Sequence, residues 1–97
     1  MSMTDLLKDF VEETTRKLVD NPDEVYVNVA VSTKSVIIQI KVAKSDCGKI
    51  IGKKGRTIDA LKIITLAIKN TQYSNDIRKV TLEILEDESS GYRYAEN

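Results

Sequence analysis

The segment Ile50-Ile51-Gly52-Lys53-Lys54-Gly55-Arg56-Thr57-Ile58 constrains the fold more than any other part of this 97-residue chain. Helical apolar spacing lies on both sides of it. Gly52 predicts a helix end, because glycine accepts the left-handed backbone that follows a last turn. Gly55 then opens a second helix over about residues 56–70. The chain is therefore predicted to form two helices joined by a tight bend with two lysines at its tip.

Hydropathy periodicity predicts the order helix, strand, strand, helix, helix, strand. Residues 4–19 repeat apolar side chains at three- and four-residue steps, which is typical of an amphipathic helix. Residues 25–31 and 36–42 alternate with a period of two, which predicts an antiparallel hairpin. A short helix over residues 45–51 precedes the bend, and a last strand is predicted over residues 80–84. The predicted fold class is α+β, with helices packed on one face of a three-stranded sheet.

Charge is distributed unevenly along a chain with 15 basic and 15 acidic residues. Residues 41–56 carry five lysines, one arginine and one aspartate, a net charge of +5. Residues 80–97 carry one basic and five acidic residues. Because the total is zero, attraction to nucleic acid must come from local charge. We expect a domain over residues 1–85 and an acidic flexible tail over residues 86–97.

The composition argues against several kinds of chemistry. Histidine is absent and Cys47 is the only cysteine, so the commonest acid–base group and any internal disulfide are missing. The glycine spacing matches neither a P-loop nor a dinucleotide-binding fingerprint. We expect a protein that is not an enzyme and uses no metal or cofactor. No membrane-spanning run or secretory signal is visible, so a cytoplasmic location is expected.

The bend combines features that suit a phosphate backbone. Gly52 and Gly55 have no side chains, so a ligand can approach the main chain closely. The second helix begins at the bend, and its first N–H groups have no partner inside the helix. A tight helix–helix turn would also explain the two glycines, but it would not explain two lysines at the tip. A solvated helix face is the alternative for Lys49 and Arg56. The candidate phosphate-binding cations are Lys49, Lys53, Lys54 and Arg56.

The sequence Ile51-Gly52-Lys53-Lys54-Gly55 and the order of elements resemble the type II KH domain. In that family an I-G-x-x-G loop clamps about four nucleotides of single-stranded RNA or DNA. The resemblance covers roughly residues 5–85. More narrowly, residues 18–25 and the pair Val42-Ala43 are similar to small bacterial single-KH RNA-binding proteins of the KhpA type.

The resemblance implies a cytoplasmic protein that binds single-stranded RNA, or single-stranded DNA, and forms homodimers. It further implies a larger KH-containing partner of the KhpB (Jag) kind and a role as an RNA chaperone or post-transcriptional regulator. It places the clamp at residues 52–55. It places an apolar groove for bases near Gly48, Ile51 and the second strand, at Ile38 and Ile40 or their neighbours. Core packing is the alternative for Ile51, and helix packing is the alternative for Gly48.

The positions of the aromatic residues distinguish between modes of nucleic-acid recognition. The five aromatic residues all lie outside residues 41–56, so the basic segment has no ring on which a base could stack. Recognition by a backbone clamp and an aliphatic groove is therefore predicted. The alternative function is a protein-interaction module that keeps the same fold and acts through its sheet or first helix.

Overall fold

The computed structural model describes residues 2–85. Single turns of 3-10 helix precede the first strand and the second helix, and another joins the second helix to the third. The predicted order and the α+β class are confirmed, whereas the predicted acidic tail lies outside the described residues. The elements are α1 (Met3–Leu18), β1 (Tyr26–Val31), β2 (Ser35–Lys41), α2 (Cys47–Ile51), α3 (Arg56–Gln72) and β3 (Lys79–Leu85).

Strand β2 lies at the centre of a mixed three-stranded sheet. It pairs antiparallel with β1, which confirms the hairpin, and parallel with β3. Parallel neighbours cannot be joined by a tight turn, because the chain must return to the starting edge of the sheet. Helices α2 and α3 make this return. The bend between them therefore lies on the crossover between two paired strands.

The core fills the space between the helices and one face of the sheet. Alternate residues of β2 and β3 face it, as the period of two predicts. Helix α1 contributes residues spaced four apart, and α2 and α3 each contribute an isoleucine close to the bend. The main fully buried apolar side chains are Leu7, Val11, Val36, Ile38, Ile40, Ile50, Ile58 and Ile84.

The opposite face of the sheet carries a polar ladder. Asn28 Nδ2 donates to Gln39 Oε1 over 3.0 Å, and Gln39 Nε2 donates to Glu83 Oε1 over 2.9 Å. The three residues are directly paired across β1, β2 and β3. Hydrogen-bonded polar side chains thus cover the middle of this face, and the helices pack on the other one.

Candidate nucleic-acid interface

The bend at residues 52–55, hereafter the GKKG bend, has an unusual backbone. Gly52 ends α2 with a φ of 75° and a ψ of 173°, and Gly55 precedes α3 with a φ of 76°. Lys54 also has a positive φ, 57°. Only glycine adopts such angles without strain. The main chain therefore turns sharply, and Lys53 and Lys54 lie exposed on its outside.

Gly52 is also required by a close contact. A Cβ atom at this position would lie 2.2 Å from Thr57 Oγ1 and 2.8 Å from the Thr57 backbone nitrogen. The end of α2 therefore touches the first turn of α3, and no larger residue fits between them. The glycine is needed for the fold of the bend.

The N-terminus of α3 has the properties of an anion site. Its N-cap is Gly55, and no side chain accepts a hydrogen bond there. The positive end of the helix dipole therefore lies at the bend without a side-chain cap. The Arg56 N–H already donates to the Lys53 carbonyl oxygen, and Gly52 lies against the Thr57 nitrogen. Lys53, Lys54 and Arg56 are exposed around this end, so the predicted cations are brought together in space.

Helix α2 holds the remaining predicted residues. Gly48 is exposed, and a Cβ built on it would meet nothing within 4 Å, so helix packing does not explain this glycine. Ile51 is half-buried and packs against the core, whereas Ile50 and Ile58 are fully buried on either side of the bend. The two buried isoleucines anchor the bend, and Gly48 leaves an open surface beside it.

Lys49 takes part in a network that fixes the start of α2. Its Nζ lies 3.2 Å from Asp20 Oδ2 and 3.9 Å from Asp46 Oδ1. The Asp46 side chain is 1% exposed and accepts hydrogen bonds from the backbone N–H groups of Asp20 and Asn21 and from Asn21 Nδ2. The network ties the connection after α1 to the helix that leads into the bend. The charge of Lys49 is thus partly neutralised within the protein.

Ionisation of Asp46 depends on this network. Burial opposes the charged carboxylate, but hydrogen bonds from Asn21 and the backbone of Asp20, together with Lys49, outweigh it. The pKa of Asp46 is therefore held below its ordinary value. The carboxylate stays charged at neutral pH although water does not reach it.

A cleft of about 550 Å³ runs along α3 to the start of β3. Asp59, in the first turn of α3, lies at its end near the GKKG bend. Apolar side chains and basic side chains line it together, a combination suited to a ligand with both flat apolar and anionic parts. The residues that define this α3 cleft are Asp59, Lys62, Ile63, Leu66, Lys69, Arg78, Lys79 and Val80.

Two of the residues expected near the apolar groove do not line an open surface. Ile38 and Ile40 are fully buried between the sheet and the helices, so their expected place at the groove is wrong. The α3 cleft lies elsewhere, between α3 and β3, and its apolar lining is Ile63, Leu66 and Val80. The sequence does contain a signal for this cleft, because Lys62 and Lys69 are seven residues apart and therefore lie on one helix face.

The basic side chains of the α3 cleft are held in place by their surroundings. Lys62 is 7% exposed, and its burial, together with the nearby charge of Lys79, lowers its pKa against the opposing effect of Asp59. Arg78 Nε donates to Asp76 Oδ1 over 2.9 Å. Hydrogen bonds from Arg78 lower the pKa of Asp76 to about 2. The Arg78–Asp76 pair is thus nearly neutral, and the lysines supply the net positive charge.

Residues 2–85 contain neither a candidate metal site nor a membrane-spanning helix. This part of the chain has no group of three or more acidic or cysteine side chains placed to hold a metal ion. None of its helices is both long and apolar enough to cross a membrane. Cys47 is buried, with its Sγ 3.8 Å from the Ala43 carbonyl oxygen. Its thiol is therefore packed in the core.

A glycine-bounded bend between two helices, set on the crossover between parallel strands with an antiparallel strand beside them, defines a type II KH domain. Residues 8–84 match the family model described as "KhpA/KhpB, KH domain". The chain belongs to the KhpA/KhpB family of KH domains. No solved structure matches it.

Similar proteins cover nearly the whole domain. A protein of Chlamydia caviae named "RNA-binding protein KhpA" is 42% identical over 81 residues, which are 84% of this chain and 99% of that protein. The protein of the same name from Aquifex aeolicus is 44% identical over 80 residues, 82% of this chain and 96% of its own length. That from Clostridium perfringens is 37% identical over 81 residues, 81% of this chain and the whole of that protein.

Replacing Gly52 with alanine should destabilise the domain by about 2 kcal/mol or more, because the new Cβ meets Thr57 and the backbone angles are nearly restricted to glycine. Urea denaturation of Gly52→Ala measures the loss. Gly48→Ala is the matched control, since its Cβ meets only open space and the change should stay within about 1 kcal/mol. Equal losses in the two variants would contradict the proposed contact.

Asp46→Asn should lower stability at neutral pH, because one buried acceptor oxygen becomes a donor that faces other donors. Because the pKa of Asp46 is lower in the folded protein, its carboxylate stabilises the fold fully at any pH above the ordinary pKa of 3.8. This stabilisation is lost as the pH falls through the lower pKa of the folded state. The difference in urea midpoint between Asp46→Asn and wild type should therefore shrink in acid. Asp9→Asn, at an exposed position of α1, is the control, and its urea midpoint should stay close to that of wild type. If the difference in midpoint between Asp46→Asn and wild type is the same at neutral and acid pH, the mechanism is refuted.

Proposed function

We propose that this protein binds single-stranded RNA, with the phosphate backbone held at the GKKG bend. The observation that carries the proposal is the uncapped N-terminus of α3, surrounded by exposed Lys53, Lys54 and Arg56. The positive end of a helix dipole and fixed positive charge at one point favour phosphate oxygens. Gly52 and Gly55 let the sugar–phosphate chain approach the protein backbone. The same contacts accept single-stranded DNA.

The bases would lie in the α3 cleft, which begins one helical turn beyond the GKKG bend. Its aliphatic lining, in which Ile63 is exposed and Leu66 is partly exposed, gives a base an apolar surface without an aromatic stacking partner. Lys79 is exposed at the rim and can contact phosphates or base edges, whereas Lys62 is almost fully buried. A binding mode of this kind gives modest affinity, because a short strand makes only a few phosphate contacts.

The other predicted site residues have different roles in this proposal. Gly48 leaves room for the strand where it passes α2, since no protein atom occupies the space beside it. Ile51 forms part of the surface next to the bend. Lys49 positions α2 through its ion pairs with Asp20 and Asp46 and contributes less charge to the ligand than Lys53 or Lys54.

The proposal agrees with the names of the relatives, several of which are called RNA-binding proteins. We assign the protein no catalytic activity and place it in the bacterial cytoplasm as an RNA chaperone or post-transcriptional regulator. A larger KH-containing protein of the KhpB (Jag) kind is the proposed partner. The family description, which joins KhpA and KhpB, supports this pairing.

Replacing both Lys53 and Lys54 with aspartate should weaken RNA binding about tenfold or more, because two cations at the clamp become two anions. Fluorescence anisotropy with a labelled, unstructured octanucleotide measures the loss. For wild type, two or three phosphate contacts predict about a tenfold loss of affinity on a fourfold rise in salt. The melting temperature should change little, since both side chains are exposed.

The control carries the same change in net charge at Lys17 and Lys34, exposed residues outside the bend and the cleft. Lys17→Asp with Lys34→Asp should retain most of the affinity. Equal loss in both double variants would mean that only overall charge matters, and undiminished binding by the bend variant would reject the clamp. If wild type binds no RNA, and wild type and both double variants still capture a protein partner, the protein-interaction module is favoured.

We place the homodimer interface on the outer face of α3. Ala60, Ile64 and Ala67 are exposed there at steps of three and four residues, and Ile64 is 49% exposed. A stripe of small residues around one isoleucine allows two helices to pack closely. The stripe leaves the GKKG bend free, so two clamps can act on one RNA and raise each other's effective concentration.

Ile64→Glu should convert the dimer to a monomer, because a charge cannot be buried without a partner at a helix–helix contact. Sedimentation velocity of the full chain measures the change. Ile77→Glu is the control, since Ile77 is 94% exposed but lies outside α3. A variant at Ile64 that remains dimeric would place the interface elsewhere.

A further inference from the structure

The acidic tail, residues 86–97, is an addition to the family domain. The family model ends at residue 84, and the match to the Chlamydia caviae protein covers 99% of that protein but 84% of this chain. The tail contains four acidic residues against one arginine, and also two tyrosines. These residues are Glu86, Asp87, Glu88, Glu96, Arg93, Tyr92 and Tyr94.

The tail begins at the end of the molecule that carries the GKKG bend. Leu85, the last residue of β3, is paired with Lys41 at the end of parallel β2. Helix α3 leads into β3 through only six residues, so it runs back against the strand direction. A helix of 17 residues is about 25 Å long, and a strand of seven is about 20 Å. The start of α3 therefore lies near the end of β3.

Residues 86–97 are enough to span the basic surface. Twelve residues reach at most about 40 Å, which exceeds the length of α3. The three acidic residues next to β3 are within reach of the GKKG bend, and the tyrosines can extend into the α3 cleft. The edge of β3 away from β2 is not paired with a strand among residues 2–85.

The chemistry of the tail matches what the proposed RNA would present. The bend offers three exposed cations, and the cleft adds Lys79, which is exposed, and Lys69, which is partly exposed. Carboxylates can take the place of phosphates at the bend, and tyrosine rings can take the place of bases on the aliphatic lining of the cleft. Attachment to the domain gives the tail a local concentration roughly in the millimolar range, so weak contacts suffice.

We propose that the acidic tail docks in cis on the GKKG bend and the α3 cleft and competes there with single-stranded nucleic acid. The competition rests on the proposed function, but the docking does not. Exposed ion pairs are individually weak, so the tail should lower RNA affinity about fivefold at low salt and much less at high salt. Ligands that fill both the clamp and the cleft displace the tail, whereas shorter or weaker ones are excluded.

The test compares the full chain with two charge-matched variants by amide NMR without RNA. Neutralising the tail should shift the amide signals of Lys54 and Gly55 in the bend and of Leu66 and Val80 in the cleft. The control removes the same number of exposed acids from α1 and the following turn and should leave these signals in place. The tail variant is E86Q/D87N/E88Q/E96Q. The control variant is D9N/E13Q/D23N/E24Q.

The outcomes separate docking from RNA binding. Unchanged bend and cleft signals in the tail variant would overturn the proposal, and shifts that disappear on dilution would assign the contact to a second copy and overturn docking in cis. With docking present, the tail variant should bind the labelled octanucleotide about fivefold more tightly than the control at low salt. Equal affinities would reject competition. If no form binds RNA while the amide signals still shift, the proposed function fails and the docking stands.

Discussion

The contact between Gly52 and Thr57 is the constraint on which the interface depends. Because Gly52 has no Cβ, the end of α2 can lie directly against the first turn of α3. The resulting turn is so tight that its two central residues must point outward. The start of α3 is left without a side-chain cap, and the two lysines stand beside it. One close approach of the backbone thus produces the shape, the donors and the placement of charge together.

The basic residues near the bend divide into two groups by their surroundings. Lys49 is paired with Asp20 and Asp46 within the protein, so it holds the scaffold in position. Lys53, Lys54 and Arg56 are exposed at the bend. Charges that are already paired gain little from a ligand, whereas exposed ones can exchange counterions for phosphates. A basic sequence segment therefore contains both paired and exposed cations, and only spatial neighbours distinguish them.

The expectation that Ile38 and Ile40 lie near an open groove failed for a physical reason. A period of two identifies which residues of β2 share a face, and it correctly grouped Ile38 with Ile40. It cannot tell whether that face is open or covered. Because β3 pairs parallel to β2, the crossover helices cover both side chains, and the open cleft lies along α3, where Ile63 is exposed. The lysines that line it lay outside the most basic segment, so charge counting did not mark them.

The sequence by itself determined the order of elements, the bend and its exposed lysines, because glycine conformation and hydropathy period act over a few neighbouring residues. Tertiary structure alone decided where the cleft lies, that Asp46 is buried among donors from a connection 25 residues away, and that Lys49 is paired. These features depend on contacts between segments far apart in the chain. Local patterns do not contain that information, since packing decides which faces meet.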